Sequence, residues 1–211
     1  IKIGGIMYKI LFATNNQSKI KRFQKGLLEN GIEIVTIDKL EKQIEVNENG
    51  KDAVENAKIK AREYAKISNL PVLAMDDNLY IEDVPDEKQP GTHVRRINGK
   101  RLNDDEMIKY YQNLAKEYGK DGKLTCRWVY GISLIKDGRE STYTWSKENF
   151  YIVDKPAKKI QPGYPLNTIS INKKIGKYFV DMTEEDKKMV HEEESDVIKF
   201  IVQEVKHYEK M

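Results

Sequence analysis
The chain of 211 residues carries one cysteine, Cys126, and three histidines. A disulfide framework and a multi-cysteine metal site are thereby excluded, and a reducing compartment, the cytoplasm, is the expected location. No apolar run approaches the roughly 18 residues of a membrane span, and no charged-then-apolar leader of the exported kind opens the chain. Internal repeats and low-complexity blocks are missing. So are the glycine-rich phosphate fingerprints, since neither GxxxxGK[ST] nor GxGxxG occurs. Charge of one sign is not in large excess either: 37 basic against 34 acidic residues leave +3. The basic residues Arg95-Arg96 and Lys100-Arg101 are followed at once by Asp104-Asp105-Glu106. No nucleic-acid partner is therefore expected.

What is there is a folded domain. Charged residues make up 34%, above the usual ~25%. The signs nearly cancel, however, and apolar residues gather in short runs such as Ile10-Leu11-Phe12 and Val72-Leu73-Ala74. A disordered polyelectrolyte is excluded on that pattern. The length suits one compact unit with two lobes. A strand begins directly after Met7, so Met7 is the expected natural start, the domain spans 7–211, and residues 1–6 are a non-native or unstructured leader.

Periodicity and punctuation predict a strand at 8–13, a helix at 19–29 with Ser18 as N-cap and Ile20, Phe23 and Leu27 as its buried stripe, and a strand at 32–37. A second helix at 52–68 buries Val54, Ala57, Ala61, Tyr64 and Ala65. A short buried strand at 71–75 ends in Asp76-Asp77. Residues 85–101 read as loop and 104–117 as a helix. Strands at 124–135 and 141–153 are joined by Lys136-Asp137-Gly138-Arg139, a hairpin signal. Residues 154–177 read as loop, and helices follow at 183–190 and 195–210. Cys126 alternates with Trp128 and Tyr130 and is placed in the core; His93 and His207 are placed on the surface. Strands and helices alternate early and a long hairpin comes late. The predicted class is α/β, with a mixed, elongated central sheet flanked by helices and two lobes with a cleft between them.

Two places can carry chemistry. Thr14-Asn15-Asn16-Gln17-Ser18-Lys19 joins a strand to a helix, where side-chain oxygens, helix amides and a lysine make an anion site or an ordinary capped turn. Asp76-Asp77 can hold a magnesium ion, supply a base for water, or solvate a turn. Glu48 precedes the second helix and Lys60 flanks its buried stripe; each alone reads equally as a dipole partner and a solvated lysine.

Their order along the chain resembles one family. Thr14 to Lys19, Glu48-Asn49-Gly50, Glu55-Asn56-Ala57-Lys58-Ile59-Lys60-Ala61-Arg62, Leu70 to Asp77 and Pro90-Gly91 with Arg96 resemble the inosine triphosphate pyrophosphatase family. The family patterns are Thr-x-Asn-x-x-Lys, Glu-Asn-Ala-x-x-Lys-Ala-Arg and Ala-Asp-Asp-Ser-Gly-Leu. The third is met in Asp76-Asp77 but reads Asn78-Leu79 where the family has Ser-Gly. The resemblance implies magnesium-dependent hydrolysis of nucleoside triphosphates, non-canonical purine ones among them, to the monophosphate and pyrophosphate. It further implies a homodimer. Substrate contacts would come from Thr14, Asn15, Asn16, Lys19, Lys60, Asn78, Arg96 and Lys187. Glu48, Asp76 and Asp77 would hold Mg2+, and Asp77 would also be the base. The runner-up is a nucleotide-binding homologue without turnover, acting as a sensor or interaction protein.

The base-recognition half departs from that family. Where it has Gly-Phe-Gly-Tyr-Asp-Pro, this chain has Gln161-Pro162-Gly163-Tyr164-Pro165-Leu166, so Tyr164 is the remaining ring. Met182 to Lys187 keep the next motif, but its Ser-His-Arg positions hold His191-Glu192-Glu193. Glutamates only accept hydrogen bonds where cationic donors are expected. A weaker preference for inosine and xanthosine triphosphates, or a shift to another base, follows.

Overall fold
A computed structural model describes residues 6–191 and 194–206. Residues 1–5 of the expected leader, Glu192, Glu193 and His207 lie outside the described residues. In chain order the elements are β1 (Tyr8–Phe12), α1 (Gln17–Glu29), β2 (Ile32–Thr36), α2 (Ala53–Ala65), β3 (Val72–Ile81), β4 (Arg96–Ile97) and β5 (Lys100–Arg101). There follow α3 (Asp104–Tyr118), β6 (Lys123–Lys136), β7 (Arg139–Val153), α4 (Pro165–Ile169), β8 (Ser170–Asn172), α5 (Glu184–Val190) and α6 (Ser195–Lys206).

Six strands form one mixed sheet in the order β2-β1-β3-β6-β7-β8. β1 is parallel to β2 and to β3, while β7 is antiparallel to β8. The mixed α/β class expected from the sequence is therefore found. The β6–β7 hairpin also stands as expected: Asp137 (φ 51°) and Gly138 (φ 75°) both take positive φ, the geometry of a type I′ turn. β4 and β5 make a separate small ladder inside the expected 85–101 loop.

Chain contacts divide the molecule into two compact units, with boundaries that fall inside β3, β6 and β7. The first comprises the chain up to Asp77, Tyr130–Trp145 and the C-terminal segment. Its core packs Leu11, Ala13, Ile37, Ala61, Tyr64, Val72 and Ala74. α1 buries the predicted stripe of Ile20, Phe23 and Leu27, and Phe23 meets Phe12 edge-on with centroids 6.1 Å apart. The second unit comprises Asn78–Val129 and the chain from Ser146 to the segment before α6. It packs Leu79, Ile81, Met107, Tyr111, Leu124, Cys126, Phe150 and Ile152 into a core of its own. Burial pushes the Cys126 thiol up to about 12, which fits a core residue and not a nucleophile.

Three local expectations are corrected. The helix cap is Asn16 and not Ser18: its side-chain oxygen accepts from the N–H groups of Ser18 and Lys19. β3 does not end at Met75 but runs on to Ile81, because Leu79 and Ile81 supply a second buried face after the two aspartates. The 154–177 loop contains α4 and β8, the latter fixed by its ladder to Phe150–Ile152.

Within the first unit α2 comes very close to β6. A Cβ placed on Gly131 would lie 2.6 Å from the backbone nitrogen of Val54 and 2.7 Å from its Cα. No side chain fits there without moving the start of α2. Gly131→Ala is expected to destabilise the protein by about 1–3 kcal/mol, the usual cost of overpacking. Thermal unfolding followed by circular dichroism should show a melting temperature lower by about 2–10 °C. An unchanged melt would mean that α2 is not held against β6.

Candidate active site
Glycine and amide chemistry, more than charge, builds the site in the first unit. Asp52 caps α2 by accepting from the Glu55 N–H, and Ala53, Ala57 and Ala61 let the helix lie close to its neighbours. On that buried, small-residue face sits a polar residue, Asn56, only 2% exposed. Its amide is used at both ends. The Oδ1 atom accepts from the Gly50 N–H at 2.7 Å, and Nδ2 donates to Asp76 Oδ2 at 2.9 Å. One side chain thus ties the Glu48-Asn49-Gly50 loop to the acidic part of β3. Gly50 must be glycine for this to happen, since a Cβ there would stand 2.7 Å from Asn56 Oδ1.

One helical turn beyond Asn56 comes Lys60. Its Nζ lies 2.8 Å from Glu48 Oε2, with the two side chains 12% and 34% exposed, and it donates to the Met75 carbonyl at 3.4 Å. Lys60 is therefore not the solvated lysine its spacing allowed. From α1, Lys19 reaches the same stretch of β3: Nζ is 2.9 Å from Asp77 Oδ2 and 3.7 Å from Asp76 Oδ1. Two ion-paired groups result, Lys19 with Asp76 and Asp77 and Lys60 with Glu48, and Asn56 links the loop of one to the strand of the other. Thr14 supports the approach of α1 by accepting from the Asn16 N–H at 3.1 Å; Asn15 is exposed.

The helix amides are a poorer anion site than the sequence allowed. Asn16 Oδ1 takes the Ser18 N–H at 2.9 Å and the Lys19 N–H at 3.3 Å. Lys19 adds positive charge at this end, already paired with Asp77. Among the described residues no three His, Cys, Asp or Glu side chains cluster as a ready-made metal cage. The donors present are nevertheless hard carboxylate oxygens. Magnesium is ordinarily held by one or two such carboxylates plus substrate phosphates and water, so the set fits that ion in company with a phosphate chain.

Of the other candidates, Asn78 follows Asp77 directly and is 1% exposed. Arg96, on β4, is exposed, and Lys187, on α5, pairs with Glu184 at 2.6 Å. Asn78, Arg96 and Lys187 all belong to the second unit. Glu192 and Glu193 lie outside the described residues, but the next acidic residue, Glu194, is paired: Arg22 donates Nε–H to both of its oxygens at 2.6 Å. The Arg22 guanidinium also stacks over Tyr130 at 4.2 Å.

Sequence reasoning singled out neither Asn56 nor Gly131 as a site residue. Signals for both existed. A polar side chain in the middle of an alanine stripe must find partners, and a glycine inside a buried strand marks close backbone approach.

Comparison with known proteins gives a consistent result. The Ham1 family model matches residues 10–200. A dITP/XTP pyrophosphatase of Bacillus subtilis (strain 168) is 26% identical over 185 residues, covering 88% of this chain and 91% of that one. One of Desulfotalea psychrophila is 29% identical over 182 residues, covering 86% and 78%. In fold, the chain is similar to the Staphylococcus aureus Ham1 protein, with a TM-score of 0.71 at 23% identity over 94% of this chain and 98% of that one.

The two-ended role of Asn56 has a pH signature. Asn56→Asp would set a carboxylate against Asp76, and like charges raise each other's pKa. A carboxyl whose folded pKa is raised destabilises the fold at high pH and is relieved as pH falls through that value. The melting temperature of Asn56→Asp is expected below wild type at pH 8, with the gap narrowing by pH 5. A gap that is constant across that range would show that Asn56 does not face Asp76.

Proposed function
The chain belongs to the Ham1 family, and from that premise we propose that it hydrolyses nucleoside triphosphates to the monophosphate and pyrophosphate. Relatives named dITP/XTP pyrophosphatases along nearly the whole chain support a reading that includes non-canonical purine nucleotides. The single observation that carries the proposal is the convergence of Lys19 on Asp77 and of Lys60 on Glu48, with Asn56 joining the two halves. A binding protein that had lost turnover would have no need to keep this set together.

The roles follow from chemistry. Lys19 and Lys60 are compact point charges in a partly desolvated setting and suit a polyphosphate. Asp77 is the base that would take a proton from the attacking water, and Lys19, 2.9 Å away, fixes its orientation. Asp76, Asp77 and Glu48 would hold Mg2+, which when bound neutralises phosphate charge and polarises the bond that breaks. Asn56 keeps Asp76 turned towards its side of β3. Thr14, Asn15, Asn16, Asn78, Arg96 and Lys187 complete the proposed substrate contacts.

Asp77→Asn is expected to lower kcat by about 10²–10⁴-fold, the span for loss of a general base, with the fold retained. Lys19→Ala and Lys60→Ala are expected to raise KM for triphosphates while binding of the bare nucleoside changes little. Pyrophosphate release, measured over a panel of inosine, xanthosine, adenosine, guanosine, uridine and cytidine triphosphates, decides both points. Wild-type turnover by Asp77→Asn would remove Asp77 from its role. Equal losses of nucleoside and triphosphate binding would make the lysines structural.

A further inference from the structure
Lys19 meets Asp77 only if α1 lies at one depth and one rotation against β3. The helix sets neither by itself. Asn16 caps α1, yet the first turn holds no acidic residue and the last turn no basic one. The buried stripe of Ile20, Phe23 and Leu27 decides which face turns inward. Apolar burial is non-directional, however, and leaves small rolls and slides open.

The directional contact comes from the residue three positions after Lys19. Arg22 donates Nε–H to both oxygens of Glu194 at 2.6 Å, and its Nη2 donates to Oε1 as well. A forked guanidinium–carboxylate pair fixes orientation as well as distance. The pair is sheltered, with the Glu194 side chain 8% exposed and that of Arg22 23%. Tyr130 of β6 forms its floor, the guanidinium carbon standing 4.2 Å from the ring centroid. Behind Tyr130 is Trp145, stacked at 5.0 Å, and Trp145 meets Phe23 of α1 edge-on at 6.3 Å. One turn further along both helices, Gly26 leaves room for Ile198, whose Cδ1 would lie 2.3 Å from a Cβ at that position. The helix α1 is thus clasped to α6 and to β6, and every residue of the clasp lies in the first unit.

This clasp adjoins the phosphate end of the site. β6 neighbours β3 in the sheet. Burial above all pushes the Tyr130 hydroxyl up, and the charges that act on it include Arg22, Asp77 and Glu194. The clasp and Asp77 therefore share one neighbourhood, into which α1 also sends Lys19.

We propose that Arg22 and Glu194 are positioning residues for polyphosphate binding: their pair, seated on the Tyr130 ring, holds α1 so that Lys19 is presented at Asp77. The proposal rests on the nucleotide reading above for the chemical class of the ligand. It also carries a sign. Glu194 is a negative charge near an anion site, so by charge alone its removal favours an anion. By positioning, its removal does the opposite.

The test uses the full chain and calorimetric affinities for inorganic pyrophosphate in magnesium buffer, with each variant checked by thermal melting. Glu194→Gln, Arg22→Met and Arg22→Lys should each weaken pyrophosphate by about fivefold or more, the scale of a residue acting on a site through its neighbour. Arg22→Lys belongs in that group because it keeps the charge but loses the fork and the stacking plane. Made in the Lys19→Ala background, the same changes should move the affinity by less than about twofold, since the group they position is gone. Where a single variant does not fold, Arg22→Met combined with Glu194→Met, which leaves neither charge unpaired, takes its place with the same expectation. The role is overturned if Glu194→Gln tightens pyrophosphate or leaves it unchanged, if Arg22→Lys binds as wild type, or if the losses add to that of Lys19→Ala. Failure of the nucleotide reading looks different: Lys19→Ala would bind pyrophosphate as the wild type does, or the wild type would not bind it, and this role would fall with that reading. A wild type that releases no pyrophosphate from any triphosphate would sink turnover alone and leave the role standing on the binding data.

Discussion
Asn56 is an amide buried in the first unit that faces a backbone N–H on one side and a carboxylate on the other. A buried amide that loses either partner costs about 1–3 kcal/mol, so its two bonds are strongly specified. That requirement fixes where the Glu48 loop lies relative to β3. It also fixes the rotation of α2, because the amide meets both partners only if the helix presents this face inward. Lys60, one turn along, is then carried to Glu48 without further instruction. The ion pairs of the site follow from a neutral side chain.

Two glycines make that arrangement possible. Gly131 lets the first turn of α2 settle on β6, and Gly50 lets the preceding loop reach the Asn56 oxygen. Both are steric permissions, and neither adds binding energy. Together with the alanines of α2 they bring backbone near backbone, which is how Glu48 and Lys60 come to be held close to the acidic part of β3.

The sequence made part of this legible. α1, α2 and the β6–β7 hairpin were readable because their apolar spacing and turn residues agree with where they pack. The acidic pair was readable as chemistry but not as structure. Asp76-Asp77 looks like the end of a strand, since charged residues seldom continue a buried one. Here the strand continues because Asn56 and Lys19 meet the two carboxylates and because Leu79 and Ile81 find a second core. β8 escaped notice for a different reason: three residues with a polar alternation carry no period, and only the ladder to β7 defines them. Asn16 displaced Ser18 as the cap because its oxygen reaches two N–H groups at once.

Charge near the start of α6 bears on the same helix that carries Lys19. The expectation drawn from the sequence concerns Glu192 and Glu193, which lie outside the described residues. The next acidic residue, Glu194, is matched by Arg22, a residue one turn beyond Lys19 on α1. The guanidinium is pressed between that carboxylate and the ring of Tyr130, with Trp145 5.7 Å away. Burial disfavours the charged guanidinium, but the Glu194 hydrogen bond and the nearby Tyr130 outweigh it and raise the pKa of Arg22. A partly buried pair of this kind is costly to break from one side only, because the partner left behind stays desolvated. The pair therefore fastens α1 to the start of α6 and so steadies the helix from which Lys19 reaches Asp77. Glu194 thus does structural work for the helix that carries Lys19.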